Sequence, residues 1–385
     1  MDNGIHKTLY KMFGWFRGSK RKNEVDMNQV RKERIAKDLE AFQKAVEVKL
    51  QEILNAPCDL NIAPAPGSIN EEDRYTFTHP RRGLAVIINN EKFGYVKNLG
   101  DRNGSSADAH YLFNMFKLLG FQVLHATNLT AQKMLVLLKT VAKNFDHQNS
   151  DCFACSILSH GDQIFSKKDV DTCQRKDILY GVDGETLPTE LITEIFDDQH
   201  CQALIGKPRL FFFQACRGDT LDEGVDITVL HPRLSDTRKL ESTEESSSVD
   251  PPDFGTKNED DMEARAERHV PSEFYLNQVV IDPAPLYKDC LVMYATPPGY
   301  YAWRRGTGAW FIQSLCDVLT SDPVRFGKID LQKALVHVSR NVAYNYESNM
   351  PENKKFHAKK ESPVLYSMLV KDIYFNVTRG EAMNI

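Results

Sequence analysis

No stretch of this sequence approaches the roughly 18 consecutive apolar residues that a transmembrane helix requires, so membrane insertion is not expected. The first residues, basic and aromatic (KTLYKMFGWFRGSKRK), lack the continuous apolar core of a secretory leader. Cysteine is scarce and scattered. Eight in 385 residues do not make a disulfide scaffold, and a reducing compartment, the cytoplasm, is the expectation. Positive charge is not in excess either, and a net charge of −5 leaves no global polybasic footprint for nucleic acid. Internal repeats are absent. What remains is an ordinary globular composition, 42% hydrophobic and 26% charged, in a chain long enough for a large core.

Three stretches interrupt the globular pattern. Residues 1–80 hold one amphipathic segment, in which Val30, Ile35, Leu39, Phe42, Val46, Leu50 and Ile53 recur at helical spacing, followed by the turn-rich NAPCDLNIAPAPGSINEED. A single long helix cannot bury itself, so it packs on the main body or binds a partner. Residues 163–178 (QIFSKKDVDTCQRKDI) are polar and without period, and read as an insertion. Residues 219–275 are acidic, rich in Ser and Pro and poor in large apolar residues, a composition that predicts disorder.

The remainder alternates. Apolar runs at 83–90, 121–127, 152–159, 209–215 and 290–295 predict strands, with helical patterns at 105–119, 131–145 and 187–197, further helices at 308–320 and 329–346, and a last strand at 364–375. Near-continuous apolar strands interleaved with helices predict an α/β fold, a mostly parallel sheet covered on both faces. In such sheets ligands sit outside the carboxyl ends of the strands. The run FFFQACRG (211–218) ends there in polar and reactive groups, with Cys216 just past its strand. Two histidines hold comparable positions, His160 in SILSHGD and His125 in VLHATN. Gly161 after His160 lets a backbone N–H approach a ligand, which favours His160.

QACRG is a caspase signature, and a histidine is expected about 50 residues upstream. Here 56 residues separate His160 from Cys216. HPRRGLAVIINNEKF, DRNGSSADA, SHGD, KPRLFFFQACRG, YYAWRRGTGAWFIQSLC and FHAKKESP, in that order from residue 79 to about 375, all resemble segments of that family. The resemblance implies a caspase-like three-layer sandwich and an executioner-like cysteine endopeptidase cleaving after aspartate in programmed cell death.

A free thiol with a pKa near 8.5 is only a few per cent ionised at neutral pH and needs an imidazole beside it. The resemblance makes Cys216 the nucleophile and His160 its acid/base partner, with the N–H groups of Cys216 and Gly161 facing the developing oxyanion. The group orienting the histidine would be a backbone carbonyl near Gly100. Neither cofactor nor metal is implied. By the same resemblance Arg102, Gln214 and Arg304 hold the aspartate of the substrate, a carboxylate suited to two-point contact with guanidinium forks. Tyr301, Trp303 and Phe356 match aromatics shaping the next subsite, and Trp310 a tryptophan near the fourth; core packing is the competing reading for these rings. SNMPENKK, before Phe356, lacks aromatics common in executioner relatives.

The resemblance further implies a single-chain zymogen divided into a pro-segment (1–80), a large subunit (81–226), a linker (227–275) and a small subunit (276–385), cut by itself or a relative at Asp226 or Asp236, and at Asp26 near the start. Asp250 and Asp282 precede proline, which blocks cleavage. Implied partners are protein substrates with an aspartate at the cleavage position, a second large/small pair completing a homodimer, and inhibitor or adaptor proteins. A catalytically silent relative acting as dimerisation partner or regulator is the alternative, opposed by intact Cys216, His160, Arg102, Gln214 and Arg304. A relative specific for basic residues would need an acidic pocket rather than arginines.

Overall fold

Strands β1 (Leu84–Asn89), β3 (Phe153–Leu158), β7 (Arg209–Gln214) and β9 (Cys290–Tyr294) are buried along their whole length, which is why their sequences are apolar at every position rather than at alternate ones. They form the middle of a six-stranded sheet in the computed structural model, which describes residues 22–57, 71–94, 96–167, 172–224, 279–281 and 287–377. Edge strands β2 (Gln122–Thr127) and β12 (Val364–Ser367) complete the order β12-β9-β7-β3-β1-β2, parallel throughout except for β12.

Helices cover both faces. Alternate residues Ala85, Ile87, Ala154, Leu210, Phe212, Leu291 and Met293 share one core with helices α2 (Ser105–Leu118), α5 (Trp310–Leu319) and α7 (Leu331–Asn345). The intervening residues face the other way. Phe153 stacks on Phe196 at 4.0 Å, and Phe211 meets the same ring at 6.1 Å. The phenylalanines of 211–213 thus divide between two cores, each buried ring contributing about 1.5–3 kcal/mol. Helix α3 (Ala131–Asn144), capped by Thr130, and the short α4 (Thr189–Glu194), preceded by Pro188, lie in the connections between strands. A short helix, α6 (Asp322–Arg325), links α5 to α7.

The chain divides into two compact units, residues 1–45 and 46–385. The amphipathic segment is a single helix, α1 (Lys22–Asn55), longer at its start than the apolar periodicity marks. Its final turns belong to the larger unit, where Val46 and Leu50 are buried and the Ile53 carbonyl accepts a hydrogen bond from Gln122 Nε2 at 2.6 Å.

Three expectations are corrected. The aperiodic stretch 163–178 carries regular structure: β4 (Gly161–Lys167) and β5 (Thr172–Tyr180) pair antiparallel, and β6 (Thr186–Pro188) and β8 (Val279–Ile281) pair with β5. The β4–β5 ladder runs from Gly161↔Leu179 to Lys167↔Cys173, and most of its described side chains are only partly buried, so neither strand carries a clean apolar alternation. The last strand ends at Ser367, not 375. Backbone bonding to β9 runs one residue further, Met368 N–H to the Cys290 carbonyl at 2.8 Å and Asp289 N–H to the Met368 carbonyl at 3.0 Å, and stops where Asp289 turns away at φ 61°. Of the stretch expected to be disordered, 219–224 is tied down: Thr220 bridges Tyr300, and Asp222 bridges Lys360. Residues 225–278 lie outside the described residues.

Candidate active site

The last register pair between β3 and β7 is Leu158↔Gln214, so both chains leave the sheet at the same carboxyl edge. Ser159 N–H still donates to the Gln214 carbonyl at 3.2 Å. His160 and Cys216 each follow two residues beyond that pair. The two turns come together at the residue after the histidine: a Cβ on Gly161 would lie 2.6 Å from the Cys216 carbonyl oxygen and 2.8 Å from Ala215 Cβ. His125, the other candidate, sits exposed on edge strand β2, separated from β7 by β1 and β3.

His160 is 6% exposed. Its Nε2 lies 2.8 Å from the Gly100 carbonyl, the neighbourhood in which the sequence resemblance puts an orienting carbonyl. A carbonyl only accepts, so Nε2 carries the hydrogen in this contact and Nδ1 is left as the acceptor of the neutral ring. Phe93 packs edge-on against the imidazole at 4.6 Å and fixes its plane. The Cys216 thiol is half-buried, and the Ala302 N–H donates to its Sγ at 3.5 Å.

Arg217, next to the cysteine, was not assigned a task from sequence. It is buried, donates to Asp177 Oδ2 at 2.6 Å and to the Thr296 carbonyl at 3.3 Å, and lies over the Tyr294 ring at 4.0 Å. Burial works against its charge, but the Asp177 carboxylate outweighs it and pushes the guanidinium pKa up. The turn after β7 is therefore fastened to β5 and β9 on either side of the thiol. The signal was present in the motif itself, where an arginine directly follows the cysteine at a buried strand end.

Of the three polar residues expected to hold an acidic side chain, Gln214 ends β7, Arg102 is tied to the chain just past β1, and Arg304 contacts the turn that follows Arg102. Asn90, just past β1, donates its N–H to the Leu158 carbonyl, and its own carbonyl accepts from Arg102 Nη1 at 3.0 Å. Arg102, 1% exposed, also donates to Ser105 Oγ at 2.8 Å. Gln214 is 2% exposed, and its Oε1 has no hydrogen-bond partner among the described residues. An unsatisfied buried acceptor of this kind costs about 1–3 kcal/mol. Arg304, on the two-residue strand β10 (Arg304–Arg305), reaches the same turn from the other side, its Nε donating to the Asn103 carbonyl at 2.7 Å. Gly104 (φ 84°) makes the approach feasible, since a Cβ there would meet the Arg305 carbonyl at 2.4 Å.

The aromatic residues are buried as a satellite core. Trp303 stacks on Trp310 at 5.5 Å and 15°, Tyr301 lies 5.7 Å from Trp303, and Phe356 meets Trp303 at 6.5 Å. Val342 belongs to the same cluster, with Leu221, Tyr346 and Met350 packed against it. Packing, the competing reading, describes these rings well, and Trp310 is fully buried. Asp226 and Asp236 lie outside the described residues, whereas the backbone of Asp26 lies within α1.

Residues 82–374 match the family model described as the caspase domain. Caspase-7 of Gallus gallus is 34% identical over 304 residues, covering 78% of this chain and 80% of that protein. Caspase-3 of Mus musculus is 33% identical over 307 residues, covering 79% and 87%. The crystal structure of caspase-1 from Spodoptera frugiperda superposes with a TM-score of 0.59 at 26% identity, over 82% of this chain and all of that one. The mostly parallel sheet between helices is the caspase-like α/β fold, and this chain belongs to the caspase family.

Proposed function

We propose that this caspase-family chain is an active cysteine endopeptidase that cleaves after aspartate. The reading rests chiefly on one arrangement: His160 and Cys216 leave adjacent parallel strands two residues beyond the last ladder pair, with their two turns coming together at Gly161. In the proposed mechanism His160 Nδ1 takes the thiol proton, and Sγ attacks the carbonyl carbon after the substrate aspartate. The oxyanion is received by backbone N–H groups of Gly161 and Cys216. The imidazolium then returns its proton to the departing amine, and water releases the acyl group by the same route. The Gly100 carbonyl stabilises the imidazolium through the Nε2 hydrogen.

Arg102, Gln214 and Arg304 are the proposed pocket for the aspartate, and Gln214 Oε1, buried and unsatisfied, fits a place where a donor arrives with substrate or water. Tyr301, Trp303, Phe356 and Trp310 act, in this reading, as the floor of the neighbouring subsites rather than as exposed contact surfaces. The chain is made as a single-chain zymogen, cut at Asp226 or Asp236 into a large subunit with His160 and Cys216 and a small one with Arg304, and works as a cytoplasmic homodimer of such pairs in apoptosis. The similarity to caspase-3 and caspase-7 supports an executioner-like role. Asp26 is a third proposed cleavage site; its helix must unwind for a protease to engage it.

A panel of fluorogenic tetrapeptides differing only at the cleavage position tests the activity. Turnover of the Asp peptide at least about 10⁴-fold above the Asn peptide is expected, because buried donors reject a substrate lacking the matching acceptor. Equal rates would refute the aspartate specificity, and no turnover by a correctly folded, processed chain would refute the activity and favour a silent regulator.

A further inference from the structure

A carboxyl group not used in that mechanism contacts the backbone of the residue before Arg304. Glu361 is 1% exposed, has no ion pair among the described residues, and accepts the Trp303 N–H through Oε2; its Oε1 has no hydrogen-bond partner there. A second buried carboxylate, Asp108 in the first turn of α2, accepts the Ala309 N–H at 2.8 Å. These two amides bracket the segment that carries Arg304. Trp303 immediately precedes β10, and Ala309, in β11 (Gly308–Ala309), is the register partner of Arg304.

The ladder itself is only two pairs long, Arg304↔Ala309 and Arg305↔Gly308. Isolated two-stranded hairpins are marginal even at greater length, so this one needs external support. Asp108 supplies it from the helix that follows the Arg102 turn. Glu361 supplies it from the chain entering β12. We infer that Glu361 is a positioning residue for substrate recognition: together with Asp108 it clamps the 303–309 segment and so fixes Arg304 against the Arg102 turn. The inference rests on the protease reading for its effect on substrate, but not for the clamp itself.

Burial and the nearby Asp108 charge hold the Glu361 carboxyl well above its usual pKa, with the Trp303 N–H opposing only in part. That shift favours the neutral acid, whose carbonyl-like oxygen accepts a hydrogen bond as an amide would. That separates Glu361 from an ion-pair partner. A glutamine has the same shape and the same acceptor, whereas a methionine fills similar volume with only a weakly accepting sulfur.

The test uses the full chain. With the Asp tetrapeptide, Glu361→Met should raise KM roughly tenfold with kcat changed much less, the pattern of lost substrate binding, while Glu361→Gln stays within about twofold of the parent on both. In parallel, hydrogen–deuterium exchange over residues 301–309, measured in a Cys216→Ala background, should be faster in Glu361→Met and unchanged in Glu361→Gln. A Gln variant as impaired as the Met variant would overturn the neutral-acceptor role. A Met variant with parental KM and exchange would overturn the clamp. If the parent turns over no Asp peptide, the protease reading fails by itself, and the exchange arm still decides whether Glu361 holds the segment. Global unfolding by denaturant, run on each variant, separates loosening of this segment from loss of the fold.

Discussion

Gly161 faces the backbone of Cys216 so closely that a methyl group on its Cα would lie 2.6 Å from the Cys216 carbonyl oxygen. The Ile178 carbonyl, at 3.0 Å, closes the other side. Only glycine permits this approach, and the approach sets the distance between the turns that carry imidazole and thiol. Gly161→Ala should therefore separate them, lowering kcat by about 100-fold, the scale of a misplacement near 1 Å. Single-turnover kinetics on the folded variant check this; a rate within threefold of the parent would mean that the contact does not govern the chemistry.

Arg102 and Arg304 should respond differently to replacement. Arg102 is buried and donates to the Asn90 carbonyl and Ser105 Oγ, so Arg102→Ala leaves those acceptors unpaired and costs about 1–3 kcal/mol of folding stability as well as activity. Arg304 is half-buried, and its Nε contact to the Asn103 carbonyl lies open to solvent. Arg304→Lys should lower kcat/KM for Asp peptides tenfold or more, because an ammonium cannot reproduce a planar two-point fork, while the unfolding midpoint barely moves. Denaturant titration beside the kinetics distinguishes the two.

His147 gives the fold a pH dependence unrelated to the candidate site. It is buried among Phe145, Phe153 and Phe196, its Nε2–H donates to the Val141 carbonyl at 3.1 Å, and Nδ1 has no partner among the described residues. Burial lowers its pKa from 6.5 to about 4. Between those values the unfolded chain binds a proton that the folded chain refuses, so stability rises with pH across that window and is lost as pH falls from about 6.5 to about 4. The loss approaches about 3 kcal/mol at the lower end. Chemical denaturation at pH 7 and pH 5 should show the slope, and His147→Phe should flatten it.

Thiol labelling should single out one described cysteine. Cys152, Cys155, Cys201, Cys290 and Cys316 are buried, and burial pushes each thiol up, Cys201 to about 11 and Cys290 to about 12. Cys216 is half-buried at the sheet edge beside His160. Brief iodoacetamide treatment followed by peptide mapping should modify Cys216 while those five stay unmodified until the chain is denatured. Equal labelling of Cys155 and Cys216 would contradict this picture.

Much of this was legible before any coordinates. The parallel strands announced themselves because strands buried on both faces must be apolar at every position, and FFFQACRG marked by its abrupt polarity where one of them ends. The β4–β5 hairpin was not legible: its ladder is made by backbone groups, and its partly buried side chains carry no period to read. Glu361 was equally silent, since a glutamate beside two lysines (KKESP) reads as surface charge until the fold buries it. The aromatics at 301–310 showed in the sequence as large apolar residues, but whether such rings face substrate or one another is decided by the loop at 346–361, which no periodicity describes. Residues tied to the sheet were predictable; residues placed by loops meeting across 200 positions were not.

The most direct test of the account is the pair of variants Cys216→Ala and His160→Ala, each folded and assayed with the Asp tetrapeptide. Starting from a processed parent that cleaves it, both should lose activity by about 10⁴-fold or more, and the double variant should lose no more than either alone, because nucleophile and base act as one unit. Retention of more than a tenth of the parent rate in either variant, or losses that multiply in the double, would contradict a joint thiol–imidazole mechanism at the ends of β3 and β7.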